Sequence, residues 1–109
     1  MSTVSTHVLD TVLGKPAAGI SIRLEGLRDG AWIPVSAAST DADGRCRDLA
    51  HDLSDGIYRL TFLIGDYLAR MGRNSIYPEV SIVFTSSGDP HYHLPLLLSD
   101  NSYTTYRGS

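Results

Sequence analysis

The chain has one cysteine among its 109 residues, Cys46, so it can form no disulfide within itself. Small extracellular domains commonly depend on disulfides, and we therefore expect a reducing compartment and a structural role for this thiol. No apolar stretch approaches the roughly 20 residues that a membrane-spanning helix needs. Residues 1–6 also lack the basic and apolar regions of an export signal. These absences predict a cytoplasmic protein with no membrane partner.

Positive charge is also scarce. Nine Lys and Arg stand against twelve Asp and Glu, for a net charge of -3. Such a chain has no basic face for a polyanion, so we expect no nucleic acid partner. Phosphate-loop, dinucleotide-binding and paired-carboxylate motifs are absent, and Ser109 has no Gly-x-Ser-x-Gly sequence around it. A small or neutral ligand remains as the partner to expect.

Turn residues divide the chain into short segments of nearly regular spacing. The turn signals are Gly, Pro, Asp, Asn and Ser clusters at 14–16, 28–30, 43–44, 54–56, 87–90 and 99–101. Between them lie runs rich in β-branched, aromatic and aliphatic residues, at 5–10, 20–24, 32–37, 57–64, 79–85, 91–99 and 102–107. This rhythm is typical of an all-β sandwich. We predict a single domain, 1–109, with seven or eight strands in two sheets.

One segment departs from this pattern. Residues 66–72 are mostly helix formers, with Asp66 as a potential N-cap and Gly72 as a stop. We predict one short α-helix there. Arg70 and Arg73 would then be solvated positions at its end, and His51 a solvated loop residue.

Alternation along residues 91–98 separates a core face from a mixed face. The core face carries Tyr92, Leu94, Leu96 and Leu98; the opposite face carries His91, His93, Pro95 and Leu97. The second set is too apolar for open solvent and too polar for a core, so we expect another molecule to cover it. Pro95 withholds a backbone donor, which predicts a sheet edge or a bulge.

Histidines raise the question of a metal. His91 and His93 could chelate zinc with His7 or His51 as a third ligand, but one His-x-His pair among four histidines is a weak pattern. We expect no metal and no cofactor. For Asp43-Gly44-Arg45, the residues alone favour a turn with Arg45 as its solvated neighbour.

Four segments together resemble a known family. These are residues 5–11 (STHVLDT), 40–45 (TDADGR), 77–80 (YPEV) and 91–99 (HYHLPLLLS), the last leading to Tyr-Arg-Gly-Ser at 106–109. In unbroken order they resemble the 5-hydroxyisourate hydrolase branch of the transthyretin family. The final tetrapeptide marks the hydrolases rather than the hormone carriers. One departure is Asp100, where relatives commonly have proline.

The resemblance implies a transthyretin-like sandwich, assembled as a homotetramer (a dimer of dimers) with active sites at the dimer–dimer interface. The implied substrate is 5-hydroxyisourate, and the implied reaction is metal-free hydrolysis of its cyclic amide to 2-oxo-4-hydroxy-4-carboxy-5-ureidoimidazoline. Family catalytic residues match His7, Arg45, His93 and Ser109. His7, Arg45 and Tyr106 match positions that bind substrate. The alternative is a transthyretin-like carrier that binds a small ligand without catalysis.

Physical chemistry is compatible with this assignment. A fixed guanidinium disfavours the protonated form of a nearby imidazole, so Arg45 would keep His7 or His93 neutral and basic near pH 7. Arg45 would also polarise a substrate oxygen with a planar fork that lysine lacks. Which histidine is the base stays open at this stage. A terminus usually frays, but the strand-like composition of 101–107 predicts an ordered one here.

Overall fold

The structure, a computed structural model, describes residues 2–109. Nine strands and one helix follow one another in this part of the chain. The strands are β1 (Ser2–Asp10), β2 (Lys15–Pro16), β3 (Ser21–Arg28), β4 (Ala31–Ser39), β5 (Arg45–Leu53), β6 (Gly56–Phe62), β7 (Val80–Ser86), β8 (His91–Leu98) and β9 (Tyr103–Thr105). Helix α1 (Ile64–Ala69) lies between β6 and β7. The predicted two-sheet β-sandwich with one short helix is confirmed, with nine strands rather than seven or eight.

The two sheets differ in how they are connected. One sheet has the order β4-β3-β6-β7 and is antiparallel throughout. The other has the order β2-β1-β8-β9, and β5 pairs with the edge of β1 that also holds β2. Within it, β1 and β8 run parallel over eight residue pairs, from Thr3 opposite His91 to Asp10 opposite Leu98. This pairing brings β1 and β8 side by side, although roughly 90 residues separate them in sequence.

The core lies between the sheets and follows the predicted alternation. Tyr92, Leu94, Leu96 and Leu98 of β8 are all buried, as expected. Opposite them, the antiparallel β4-β3-β6-β7 sheet contributes Ile22, Leu24, Tyr58, Leu60 and Phe62. Complete burial of one large aliphatic or aromatic side chain stabilises a fold by about 1.5–3 kcal/mol. The inner faces of β1 and β8 therefore form the core, whereas their outer faces can carry a functional site.

The helix begins earlier than expected. It spans Ile64–Ala69, and its N-cap is Leu63, so the prediction that Asp66 caps it is wrong. The start is determined by tertiary packing, because Ile64 and Leu68 insert into the core. No helix within residues 2–109 has the length and apolar character needed to cross a membrane.

Strand β5 is absent from the sequence-based prediction. Its burial does not alternate, because its pairing with β1 contains two register shifts and Asp52 has a φ of +55°. Bulges of this kind break the two-residue period by which a strand is recognised. The strand matters because Arg45 is its first residue, and because it carries His51 as an exposed strand residue rather than a loop residue.

Pro95 does not lie on an edge strand, because β8 runs between β1 and β9. The ladder between β8 and β9 is nevertheless interrupted at this residue. Pairing stops at Leu96 opposite Thr105 and resumes at His93 opposite Gly108, in the same register. Tyr106 falls opposite Pro95, which has no N–H to donate. The interruption frees Tyr106 and Arg107 from the sheet.

Arg73 is a largely buried ion-pair residue, with 14% of its side chain exposed, and not the solvated position predicted. Its guanidinium lies 2.6 Å from the carboxylate of Asp10 and 2.6 Å from that of Asp100. Asp10 is fully buried and also accepts a hydrogen bond from the Tyr67 hydroxyl at 2.9 Å. Burial raises the pKa of Asp10, but the hydrogen bonds from Arg73, Leu13 and Tyr67 outweigh it, so the net pKa is lowered. This cluster joins the end of β1, the segment after α1 and the turn before β9.

Candidate functional site

The outer face of the sheet that contains β1, β5 and β8 collects most of the predicted site residues. Ser5 and His7 lie on the face of β1 opposite Val4 and Val8, and the parallel register places them beside His93 and Pro95. On the other edge of β1, His7 lies directly opposite Arg45 of β5. Three strands that are distant in sequence therefore meet at one face.

A tight turn positions Arg45 at the start of β5. The Asp41 side chain accepts hydrogen bonds from the backbone N–H groups of Asp43 and Arg45, each at 2.9 Å. These bonds lower the pKa of Asp41, and the bond from Arg45 has the largest effect. Gly44 follows with a φ of +74°, and a Cβ there would collide with the backbone oxygen of Val8. The predicted turn at 43–44 is thus present, and it delivers Arg45 to the sheet face.

An open cleft of about 320 Å³ lies on this face. Its lining consists of Ser5, Thr6, Arg45, Arg47, His91, His93 and Ser109. Three of the four predicted catalytic residues are in this set: Arg45, His93 and Ser109. The lining is polar, with imidazole, guanidinium and hydroxyl groups.

His93 is the most constrained side chain of the cleft. Its Nδ1 lies 2.8 Å from the Ser5 hydroxyl, and its backbone oxygen accepts a hydrogen bond from the N–H of Gly108 at 2.8 Å. Burial lowers the pKa of His93, and the nearby His91, His7 and Arg45 lower it further, in that order. The imidazole therefore stays neutral, and able to accept a proton, at a lower pH than an ordinary histidine. Burial rather than Arg45 is the main cause.

His7 lies at the margin of the cleft and does not line it. The ring is half-buried, and its Nε2 is 2.9 Å from the backbone oxygen of Asp43. A carbonyl oxygen only accepts, so Nε2 of His7 carries the proton and donates it. The other ring nitrogen, Nδ1, is then the one left with a lone pair.

The C-terminal residues are placed at the cleft by the isolated β-bridge between Gly108 and His93. Arg107 is held by Asp89, with an N–O distance of 2.8 Å, and by the ring of Tyr92, with its guanidinium carbon 4.7 Å from the ring centroid. Gly108 then pairs with His93, which places Ser109 in the cleft lining. Tyr106 is 54% exposed and lies outside the cleft of a single chain.

Some lining residues were missed as site candidates from the sequence, namely Ser5, Thr6 and Arg47. No local sequence pattern identifies these residues as part of a site. Their positions in the cleft depend on the parallel pairing of β1 with β8 and on strand β5, which was not predicted. His91 had been considered as a metal ligand and instead hydrogen-bonds the Ser5 hydroxyl through Nε2 at 3.0 Å.

His51 lies apart from these groups. It is exposed, and its Nε2 is 3.7 Å from Asp48 on its own strand. Across residues 2–109, His, Cys, Asp and Glu side chains form no group of three or more with the spacing of a metal site. The residues that do meet are suited to acid–base and hydrogen-bond chemistry: a neutral imidazole, fixed cations and hydroxyls.

Comparison with known proteins gives consistent results at the level of sequence. A family model described as the HIUase/Transthyretin family matches residues 4–108. The 5-hydroxyisourate hydrolase of Caulobacter vibrioides is 46% identical over 118 residues, which cover 100% of this chain and 100% of that protein. The 5-hydroxyisourate hydrolase of Mus musculus is 42% identical over 113 residues, covering 99% of this chain and 96% of that protein.

Solved structures with the same fold come from both enzymes and carriers. The 5-hydroxyisourate hydrolase of Klebsiella pneumoniae superimposes with a TM-score of 0.90, at 39% identity, and covers 100% of both chains. Sea bream transthyretin in complex with thyroxine superimposes with a TM-score of 0.93, at 30% identity, over 97% of this chain and 94% of that one. The backbone alone therefore does not separate the two activities, and the side chains of the site have to.

Proposed function

The chain belongs to the HIUase/Transthyretin family, and we infer that it is a hydrolase that opens the ring of 5-hydroxyisourate. The product is 2-oxo-4-hydroxy-4-carboxy-5-ureidoimidazoline. Curated relatives from bacteria and from mouse carry the name 5-hydroxyisourate hydrolase and align over nearly their whole length. The substrate is thus a small, flat, polar heterocycle, and the reaction is the hydrolysis of a cyclic amide.

One observation carries this conclusion over a carrier function: the cleft holds His93, Arg45 and Ser109 together. A carrier site for an aromatic ligand is lined mainly by apolar side chains. Here the imidazole has a lowered pKa and the neighbouring group is a permanent cation. Such a pair is costly in a binding pocket for an apolar ligand and useful for deprotonating water.

The proposed chemistry needs a base, an oxyanion donor and a water molecule. His93 removes a proton from the water, whose oxygen bonds to the ring carbonyl carbon. Arg45 donates hydrogen bonds to the carbonyl oxygen as it becomes negative. The carbon–nitrogen bond then breaks, the ring nitrogen takes up the proton held by His93, and the carbonyl carbon becomes a carboxyl group. General base catalysis typically contributes about 10²–10⁴-fold and one oxyanion donor about 10²–10³-fold.

His7, Tyr106 and Ser109 would bind and orient the substrate. His7 is fixed by Asp43 and lies beside Arg45, so it can position the ring or share in water activation. Ser109 lines the cleft and supplies a hydroxyl group there. Geometry of this kind matters because a near-attack arrangement can account for several orders of magnitude in rate.

The active form would be a homotetramer, a dimer of dimers with the clefts at the dimer–dimer interface. Two features of the single chain support this. The sheet face that carries His7 and Leu97 mixes polar and apolar residues and is only half-buried. Tyr106 is exposed beside the cleft and would be brought over it by contact with another subunit. Sedimentation equilibrium of the purified protein tests this directly, and a monomer at assay concentration would contradict it.

The function itself is tested by adding the purified protein to freshly oxidised urate and following the ultraviolet absorbance of the unstable intermediate. We expect the intermediate to decay much faster with the protein than without it. A His93→Ala variant should lose this acceleration, while His51→Ala, which removes an exposed histidine outside the cleft, should retain it. Decay at the spontaneous rate with the wild-type protein would leave the carrier as the better assignment.

A further inference from the structure

A chain of hydrogen bonds leads away from the cleft through His93. The parallel register pairs Ser5 with His93 and Thr3 with His91. The Ser5 hydroxyl lies 2.8 Å from Nδ1 of His93 and 3.0 Å from Nε2 of His91, and it thus bridges two imidazoles whose planes are 15° apart. On the far side, Nδ1 of His91 contacts the Thr3 hydroxyl. That hydroxyl is also 3.4 Å from the backbone oxygen of Pro90.

The last group in this chain determines the direction of all the others. The carbonyl oxygen of Pro90 can only accept, so the Thr3 hydroxyl donates to it. Thr3 must then accept from Nδ1–H of His91, which leaves Nε2 of His91 as an acceptor. Each neutral imidazole has one donor and one acceptor nitrogen, and each hydroxyl has a single proton. With both imidazoles neutral, no other assignment satisfies every contact from Thr3 to His93 at once.

The same logic continues to the catalytic histidine. Because Nε2 of His91 accepts, the Ser5 hydroxyl donates to it and must accept from His93. Nδ1 of His93 therefore carries the proton, and its Nε2 has the lone pair. Within residues 2–109 this Nε2 has no hydrogen-bond partner. Every buried side-chain nitrogen in that range does have one, so Nε2 of His93 is not buried. Because His93 lines the cleft, the lone pair is accessible from there.

We propose that Ser5 and His91 are positioning residues that hold His93 in its Nδ1–H tautomer and aim a basic Nε2 at the substrate. This assignment rests on the proposed hydrolase function for its catalytic meaning, but the tautomer is a property of the protein alone. It also gives separate tasks to the two histidines considered as bases. His7 donates through Nε2 to Asp43, whereas His93 presents a free Nε2 to the cleft.

The tautomer can be read directly by NMR. Long-range ¹H–¹⁵N correlation spectra of the ligand-free wild-type protein distinguish the protonated ring nitrogen from the bare one. We expect Nδ1–H for both His93 and His91. A Ser5→Ala variant removes the acceptor for His93 and should shift its ring toward the other tautomer or an exchanging mixture. Nε2–H on His93 of the wild-type protein would overturn the proposal.

Activity measurements test the catalytic consequence. In Ser5→Ala we expect kcat/KM on the pH plateau to fall about tenfold, which corresponds to about 1.4 kcal/mol. The acid limb of the pH profile should also move to lower pH, because the imidazolium of His93 loses an acceptor that stabilises it. Ser5→Thr retains a hydroxyl group, and β-branched residues are favoured in strands. We therefore expect Ser5→Thr to restore most of kcat/KM and most of the wild-type position of the acid limb. His51→Ala serves as the control for loss of an exposed strand side chain outside the cleft.

His91 provides a second, independent variant. Gln at this position can offer an oxygen to the Ser5 hydroxyl, whereas Phe cannot. We expect His91→Gln to keep more activity than His91→Phe, and to keep the Nδ1–H tautomer of His93. A wild-type pH profile and tautomer in both Ser5→Ala and His91→Phe would refute the positioning role. If instead the wild-type protein does not accelerate decay of the intermediate, the function fails while the tautomer assignment can still hold.

Discussion

At Gly108 the addition of a single methyl group should cause a large loss of activity. A Cβ at this residue would lie 2.5 Å from Cδ2 of His93, which is a ring carbon next to the basic Nε2. Ordinary contacts of a Cβ begin near 3.4 Å, so the ring or the terminal segment must move by about 1 Å, the difference between 3.4 and 2.5 Å. Gly108→Ala therefore displaces the group that we propose as the base.

A displacement of this size predicts a large kinetic effect and a small effect on stability. A misplacement of 1 Å can cost about 10²-fold in rate when reacting groups must be aligned. We expect kcat/KM of Gly108→Ala to fall by about that factor. The fold loses at most the hydrogen bond from Gly108 to the backbone oxygen of His93, a net contribution of about 1 kcal/mol. The midpoint of thermal unfolding should drop by only about 5 °C.

The assay is the ultraviolet decay of the intermediate, combined with thermal unfolding of the same preparations. Gly30→Ala is a matched control, because it adds the same methyl group in the turn between β3 and β4, with no atom within 4 Å. Its φ of +79° makes alanine strained there, by about 1–2 kcal/mol. We expect Gly30→Ala to lose stability and keep its activity. Near-wild-type kcat/KM in a folded Gly108→Ala protein would refute the placement of His93 against the terminus.

Four further outcomes follow from the structure. Arg45→Lys should retain the oligomeric state and lose at least about tenfold in kcat/KM, because lysine cannot present a planar fork; unchanged turnover would contradict its role. A peptide tag appended after Ser109 should impair activity, since that residue lines the cleft, whereas the same tag at the N-terminus serves as the control. The acid limb of kcat/KM should lie below pH 6.5, because the pKa of His93 is lowered by burial first and then by the nearby His91, His7 and Arg45; a limb at or above that pH would contradict the assignment of the base. Asp10→Asn should destabilise the fold by about 3 kcal/mol in urea unfolding, because it breaks a buried ion pair with Arg73. The pKa of Asp10 is lowered on folding, so its contribution to stability is present above about pH 4 and is lost as the pH falls through the folded value.

Local patterns in the sequence predicted what local physics determines. Alternation along β8 separated the buried leucines from the histidines correctly, because each inner position must fill the core. The turn at 43–44 was also correct, since Asp41 and Gly44 carry its geometry within a few residues. Helix α1 was found, but its start was misplaced. Insertion of Ile64 into the core outweighs the capping preference of Asp66.

The parts that were missed depend on long-range pairing. Nothing local in residues 2–10 shows that this strand will run parallel to β8, yet this pairing is what places Ser5 against His93. Arg73 was predicted to be solvated because its partners, Asp10 and Asp100, lie 63 and 27 residues away. Strand β5 was missed because its bulges hide the alternation. In each case the sequence shows which residues are present, but it does not show which distant residues come into contact in the fold.

The two faces of β1 and β8 explain how a small sandwich can carry a polar site at little cost to its core. Period-two alternation assigns Val4, Val8, Leu94 and Leu96 to the interior, and all four are nearly or fully buried. The outward positions between them hold the groups of the cleft. Their polar atoms are paired with one another or open to solvent, and no buried side-chain nitrogen or oxygen within residues 2–109 lacks a hydrogen-bond partner. Substitutions on the outer face should therefore change chemistry more than stability, whereas the buried Asp10 cluster, which touches no cleft residue, should show the reverse.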